Sequence, residues 1–274
     1  MDTVTSSDGT TIAFERKGDG PAVILVSGAL RDRSHPTQRE LTAQLARRFT
    51  VFNYDRRGRG DSSDTRPYSV HREVEDIDAL ICKAGGSAFV YGASSGALLA
   101  LEAAASGLAI AKLALFEPPF VVDAGSPLLP EDYPHRIDEA VTSGNPARAV
   151  EMFLTTALGI PDELLGPMKA EPSWSEMERL AHTLVYDGAI MRGSMSGDPP
   201  SRDRWAAASV PTLVINGQLS DDAVHAAARA LCCVLVHARR RCLEDQESAP
   251  APEVLAPVLR EFFAPEPTFR EIVG

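Results

Sequence analysis

Histidine is scarce in this chain of 274 residues: there are six, and none lies beyond His237. Only four cysteines occur, Cys82, Cys232, Cys233 and Cys242, and they lack metal-ligand spacing, so neither a metal nor another cofactor is expected. The adjacent Cys232 and Cys233 are expected as buried helix thiols of a reducing compartment. No apolar run approaches the roughly 20 residues that a helical membrane span needs. The first residues show no basic stretch leading into an apolar run, which points to a cytoplasmic chain. Positive charge is also in short supply. Lysine and arginine total 27 against 38 acids, a net charge of −11, which argues against nucleic acid or an anionic membrane as partner. No internal repeat or low-complexity tract is visible.

What the chain does have is alternation. Short alternating stretches at Thr3–Thr5 and Thr11–Arg16 flank Asp8-Gly9 and predict an opening hairpin. Ala22–Val26 is wholly apolar and suits a strand buried on both faces. Further strands are expected at Val51–Tyr54, Ala88–Tyr91, Lys112–Phe116, Pro211–Asn216 and Arg239–Leu243. Helical patterns fall between them at Gln38–Arg48, Val70–Ala84, Ser95–Ser106, Asp221–Val234 and Pro252–Phe263. Strand–helix alternation of this kind implies an α/β fold with a mostly parallel, doubly wound sheet. It breaks once. Residues 121–208 carry helical segments punctuated by prolines and no clear strand, which predicts an inserted helical cap over the carboxyl ends of the strands. The core is then 1–120 with 209–264, and 265–274 is expected as a loosely held tail.

The strongest local signal is Ala-Phe-Val-Tyr-Gly-Ala-Ser-Ser-Gly at 88–96, a strand running into Gly92-x-Ser94-x-Gly96, with small residues following. A serine on such a strand-to-helix turn is exposed as a nucleophile. The helix beginning at Ser95 aims free N–H groups and a positive dipole end at any oxygen above Ser94. A second N–H, from Ala29 or Leu30, would complete an oxyanion hole able to hold a tetrahedral intermediate or an enolate.

Over nearly its whole length the chain resembles the α/β-hydrolase superfamily. The resemblance rests on Val26-Ser27-Gly28, on Tyr54-Asp55-Arg56-Arg57-Gly58-Arg59-Gly60-Asp61-Ser62 and on the Ser94 elbow. It extends to Pro211–Gly217 and to the final helix, Pro252–Phe263. The resemblance implies that an acid follows the seventh strand and a histidine the eighth. Ser220 stands in the acid's place, with Asp221 and Asp222 late, and Ser248 stands in the histidine's place. A serine hydroxyl without an imidazole has nothing poised to remove its proton. A kept elbow without acid or histidine is similar to the non-hydrolytic members found in natural-product pathways, among them the peptide aspartate epimerases of bottromycin biosynthesis.

Substitutes for the missing base are few. His35, His182, His225 and His237 each read as surface or structural histidines. Glu117, at the end of the sixth strand, is either a relocated acid, as in some family members, or a loop carboxylate beside Pro118-Pro119. Asp221 suits an acid at a helix N-terminus. Arg56, Arg57 and Arg59 are expected to hold the loop carrying Asp55 and Asp61 through ion pairs. Met152, Phe153, Leu154, Trp174, Met177, Tyr186 and Met191 are expected in the core of the cap or lining a pocket below it.

Three readings remain: a hydrolase with a rebuilt triad, an enzyme of proton transfer beside a carbonyl, or a carrier without chemistry. The second is preferred, with Ser94 positioning a small-molecule or modified-peptide substrate among Ala29, Leu30, Ser95, Glu117, Phe120 and His182. An aspartyl substrate would bring its own carboxylate as base. The oligomeric state is left open.

Overall fold

The computed structural model describes residues 1–122, 128–198 and 200–264, so the tail expected at 265–274 lies outside the described residues. Eight strands form one sheet in the order β1-β2-β4-β3-β5-β6-β7-β8. They are β1 (Asp2–Thr5), β2 (Thr11–Lys17), β3 (Ala22–Val26), β4 (Thr50–Tyr54), β5 (Ala88–Ala93), β6 (Ile110–Phe116), β7 (Thr212–Gly217) and β8 (Ala238–Leu243). The first two pairings, β1 with β2 and β2 with β4, are antiparallel; every later one is parallel.

The apolar run of β3 shows why the sheet is covered on both faces. Ile24 and Val26 point into one core with Phe52, Val90 and Leu115, while Val23 and Leu25 point into the other with Tyr91, Phe116 and Ile215. Helices α2 (Val70–Lys83), α3 (Ser95–Ala105) and α10 (Asp222–Val234) cover the first. Helices α1 (Pro36–Leu45) and α11 (Pro252–Phe263) cover the second. Burying such period-two strands on both faces is what the parallel arrangement demands.

Between β6 and β7 the described residues hold helices and no strand. These are α4 (Tyr133–Thr142), α5 (Pro146–Met152), α6 (Leu165–Lys169), α7 (Ser173–Leu180), α8 (Leu184–Ile190) and α9 (Arg202–Trp205), with a π-helical turn at Phe153–Ala157. The prolines do the punctuating. Pro134 and Pro146 sit in the first turns of α4 and α5, where a missing N–H costs nothing. Met152, Phe153, Leu154, Trp174, Tyr186 and Met191 are all buried. The insertion meets the core where α8 packs on α2 and α3.

One sequence expectation needs correction. Cys232 is only partly buried and Cys233 is exposed, because α10 turns this part of its surface outward and faces the sheet with Ala227, Ala228 and Leu231. The arginine loop is held by ion pairs as expected, while Asp55 and Asp61 themselves are held by Arg33. Arg56, Arg57 and Arg59 point inward instead, because each finds a buried carboxylate elsewhere: Glu73, Asp76 and Asp187 respectively.

Candidate functional site

Among the described residues four non-glycines have positive φ: Leu30 (55°), Ser94 (52°), Glu117 (44°) and Asp245 (54°). They follow β3, β5, β6 and β8, so every one lies beyond the carboxyl end of a parallel strand. Such backbone persists only where packing enforces it, and its clustering marks a site.

Ser94 caps α3 with φ 52° and ψ −126°, the strained turn that lifts its side chain above the sheet. Its N–H is held by the Phe116 carbonyl across 2.9 Å. Close backbone approach fixes the turn from below: a Cβ on Gly96 would strike the carbonyl oxygens of Val26 and Ser27. Gly28 brings the loop after β3 against the elbow, where an added Cβ would lie 3.1 Å from Ser94 Cβ and 3.0 Å from the Ala93 carbonyl oxygen. Among the described residues no protein acceptor takes the N–H of Ala29, Leu30 or Ser95. Those donors are free to hold an oxygen of a ligand.

A buried charge network sets the position of this loop. Arg59 Nη1 donates to the carbonyls of Gly28 (2.5 Å) and Arg31 (3.1 Å), and its Nη2 donates to Asp187 Oδ2 (2.7 Å). Arg56 binds Glu73 through two nitrogens, reaches Asp187 Oδ1 at 2.7 Å and touches the Ser27 carbonyl at 3.3 Å. The Ser95 hydroxyl donates to Asp187 Oδ1 at 2.7 Å. Asp187, on α8, thus ties the inserted helices to the first residue of α3. Burial disfavours its charge, but Arg59, Arg56 and the Ser95 hydroxyl outweigh burial and hold its carboxyl below the ordinary range. Sequence reading missed Asp187. The available signal was a single acid inside the buried run Leu184–Ile190, which requires a cationic partner.

The acid position of a triad is occupied from a neighbouring strand. Glu117 Oε1 accepts from the Gly217 N–H (2.9 Å) and from the Ser220 hydroxyl (2.6 Å), so a carboxylate from β6 sits on the end of β7. Asp221 is exposed at the start of α10 and makes no cap bond with its side chain. Beyond β8 the expected histidine turn is closed by glutamines: Asp245 N–H donates to Gln218 Oε1, and Leu219 N–H to the Gln246 carbonyl. Ser248 is exposed there.

No histidine is hydrogen-bonded to the Ser94 hydroxyl. His182 Nε2 binds the Gly58 carbonyl at 2.8 Å and joins the insertion to the arginine loop. His225 is engaged by Asn216, by Arg240 and by the Gln218 carbonyl. His71 pairs with Glu75 on α2, while His135 and His237 are exposed. His35 precedes α1, its Nδ1 buried without a partner; burial, with Arg31 adding to it, lowers its pKa and keeps the ring neutral. Phe120 is buried and meets Trp205 edge-on, at 6.5 Å between centroids. The structure therefore sets Gly28, which leads into Ala29 and Leu30, against the Ser94 elbow, with Ser95 opening α3 and Glu117 at the next strand end. His182 and Phe120 serve contacts of their own.

The family model described as "Alpha/beta hydrolase family" matches residues 23–265. An alpha/beta hydrolase from Sphaerobacter thermophilus has a similar crystal structure: TM-score 0.89, 49% identity, with 96% of this chain and all of that chain covered. The bottromycin epimerase BotH, solved with bottromycin A2, shares the fold at TM-score 0.63 and 23% identity, over 95% of this chain and 96% of that one. Among curated proteins, proline iminopeptidase PfmaB of Pestalotiopsis fici is 29% identical over 100 residues. That match spans 35% of this chain and about a third (36%) of the relative's length.

Proposed function

The chain belongs to the alpha/beta hydrolase family, and from that premise we propose that it is a non-hydrolytic member, an epimerase that moves a proton beside a substrate carbonyl. One observation carries this reading: the elbow and its free N–H donors are intact, while among the described residues no imidazole is hydrogen-bonded to the Ser94 hydroxyl. The substrate we assign is an L-aspartyl residue of a modified peptide. Its side-chain carboxylate takes the α-proton, the electron pair moves onto the adjacent carbonyl, and the N–H groups of Ala29, Leu30 and Ser95 hold the enolate oxygen. Return of the proton to the opposite face gives the D-epimer. Catalysis here rests on electrostatic stabilisation and positioning, so no acyl-enzyme is required. The inserted helices act as the cap over this site. BotH, a structural neighbour named as an epimerase, supports the choice of chemistry on this fold.

A second reading, ester or amide hydrolysis with a rearranged triad, is favoured by one feature: the buried, unpartnered Nδ1 of His35 beside the oxyanion loop. The two differ in their reaction with heavy water. An epimerase exchanges the α-proton of an aspartyl peptide for deuterium and releases no fragment, and Ser94→Ala slows it by no more than about tenfold. A hydrolase labels at Ser94 with a fluorophosphonate, turns over p-nitrophenyl esters and loses roughly 10⁴-fold or more on Ser94→Ala. Labelling together with that loss would overturn the proposal. Saturable binding without either signal would mean a carrier.

A further inference from the structure

Arg31 is the cation of this site that has no counter-ion. It sits in the loop after β3, directly after the positive-φ Leu30, and is half-buried. The other inward-facing arginines, Arg33, Arg56, Arg57 and Arg59, are each matched to carboxylates. Arg31 is matched to none among the described residues, in a chain with 38 acids and a net charge of −11. Asp32, beside it in sequence, and Glu117, which shares Tyr91 with it, have partners of their own. Asp32 binds the N–H and hydroxyl of Ser34 and receives Arg179 at 3.2 Å. Glu117 Oε1 accepts from Gly217 and Ser220. A guanidinium left this way has lost part of its hydration with nothing in return, which is tolerated where a ligand supplies the anion.

The position is also built. The Arg31 carbonyl accepts from Arg59 Nη1 at 3.1 Å and from the Ser27 hydroxyl at 3.2 Å, so its backbone is pinned by the network that sets the oxyanion loop. The side chain lies within electrostatic reach of Tyr91, which also feels Glu117; Tyr91 belongs to β5, three residues before Ser94. Burial lowers the proton affinity of Arg31, and the guanidinium still stays charged at any working pH.

We propose that Arg31 is the substrate-recognition residue of the site and receives a carboxylate a few bonds from the carbonyl held by Ala29, Leu30 and Ser95. This deepens the function proposed above and rests on that location for the carbonyl. It defines the substrate class as acyl compounds with a second, anionic group, of which an aspartyl residue is one. Held by Arg31 through one oxygen, the carboxylate keeps its other oxygen for the α-proton.

Calorimetric titration with N-acetyl-L-aspartic acid 1-amide, and with its uncharged isostere N-acetyl-L-asparagine amide, tests the assignment without any turnover. The wild-type chain is expected to prefer the charged probe by roughly tenfold to a hundredfold, less so at high salt. Arg31→Ala abolishes the preference, and Arg31→Lys keeps part of it. Equal affinity for the two probes, absence of binding by both, or a preference that survives Arg31→Ala each overturns the proposal. Should Arg31→Ala fail to fold, Arg31→Gln and the wild-type comparison of the two probes decide it. A preserved preference without deuterium exchange would instead refute the epimerase and leave Arg31 standing.

Discussion

The hydroxyl of Ser220 donates to Glu117 Oε1 across 2.6 Å, which fastens the turn after β7 to the residue after β6. The Gly217 N–H joins the same oxygen. A carboxylate is therefore present where a triad acid would stand, but it comes from the adjacent strand and two short bonds tie it to the protein. Placing a second acid at 220 would set two negative charges at hydrogen-bond distance. Ser220→Asp is expected to lower stability by about 1–3 kcal/mol in urea unfolding at neutral pH, and to add no esterase activity. The loss should shrink in acid, where one of the two carboxyls takes a proton.

Asp187 gives stability a definite pH dependence. Its carboxyl is held below the ordinary range, so the unfolded chain binds that proton more readily than the folded one. Its contribution is complete above the unfolded carboxylate pKa of about 3.9 and is lost as pH falls through the lower folded value. Asp187→Asn should cost about 3–5 kcal/mol at pH 7, because two buried guanidiniums lose a partner. The gap between the two proteins, followed by urea midpoints, should narrow as pH drops below about 4.

The two glycines around the elbow should behave differently. An alanine inside an exposed helix gains about 1 kcal/mol over glycine, but Gly96→Ala drives its methyl into the carbonyl oxygens of Val26 and Ser27. Soluble expression should fail, or stability should fall by about 3 kcal/mol or more. Gly28→Ala meets the Ala93 carbonyl oxygen at 3.0 Å and Ser94 Cβ at 3.1 Å, a milder overlap that requires the loop to yield by a few tenths of an ångström. That variant should fold with nearly normal stability and lose most deuterium exchange into substrate.

Arg59→Lys tests whether the guanidinium sets the oxyanion loop. Lysine keeps the charge but cannot span Asp187 and the Gly28 and Arg31 carbonyls at once. Stability should drop by about 2–4 kcal/mol. Amide hydrogen exchange at residues 28–32 should quicken more than at β5, as the loop loses its tether.

The sheet was legible because its strands are short and its central ones largely apolar, and β3 begins and ends where Ala22 and Val26 place it. Ser94 was legible for the same reason: Gly92, Ser94 and Gly96 are local, and close packing leaves them few alternatives. The charge network was not. Asp187 and Arg56 are 131 residues apart, Ser220 and Glu117 are 103, and nothing in the neighbouring residues couples them. The arginine cluster shows the limit most clearly. That it holds its loop through ion pairs was readable, but its partners Glu73, Asp76 and Asp187 were not, nor that Asp55 and Asp61 go to Arg33. Arg31 was silent for the opposite reason: what distinguishes it is a missing partner, visible only once every neighbour has been placed.

The clasp between Asp187 and Ser95 also decides how a ligand can reach the elbow. Swinging α8 outward would strand two guanidiniums and a carboxylate in the gap it left, a cost of several kcal/mol before any substrate contact was made. A ligand must therefore reach Ser94 with α8 left in place against α3.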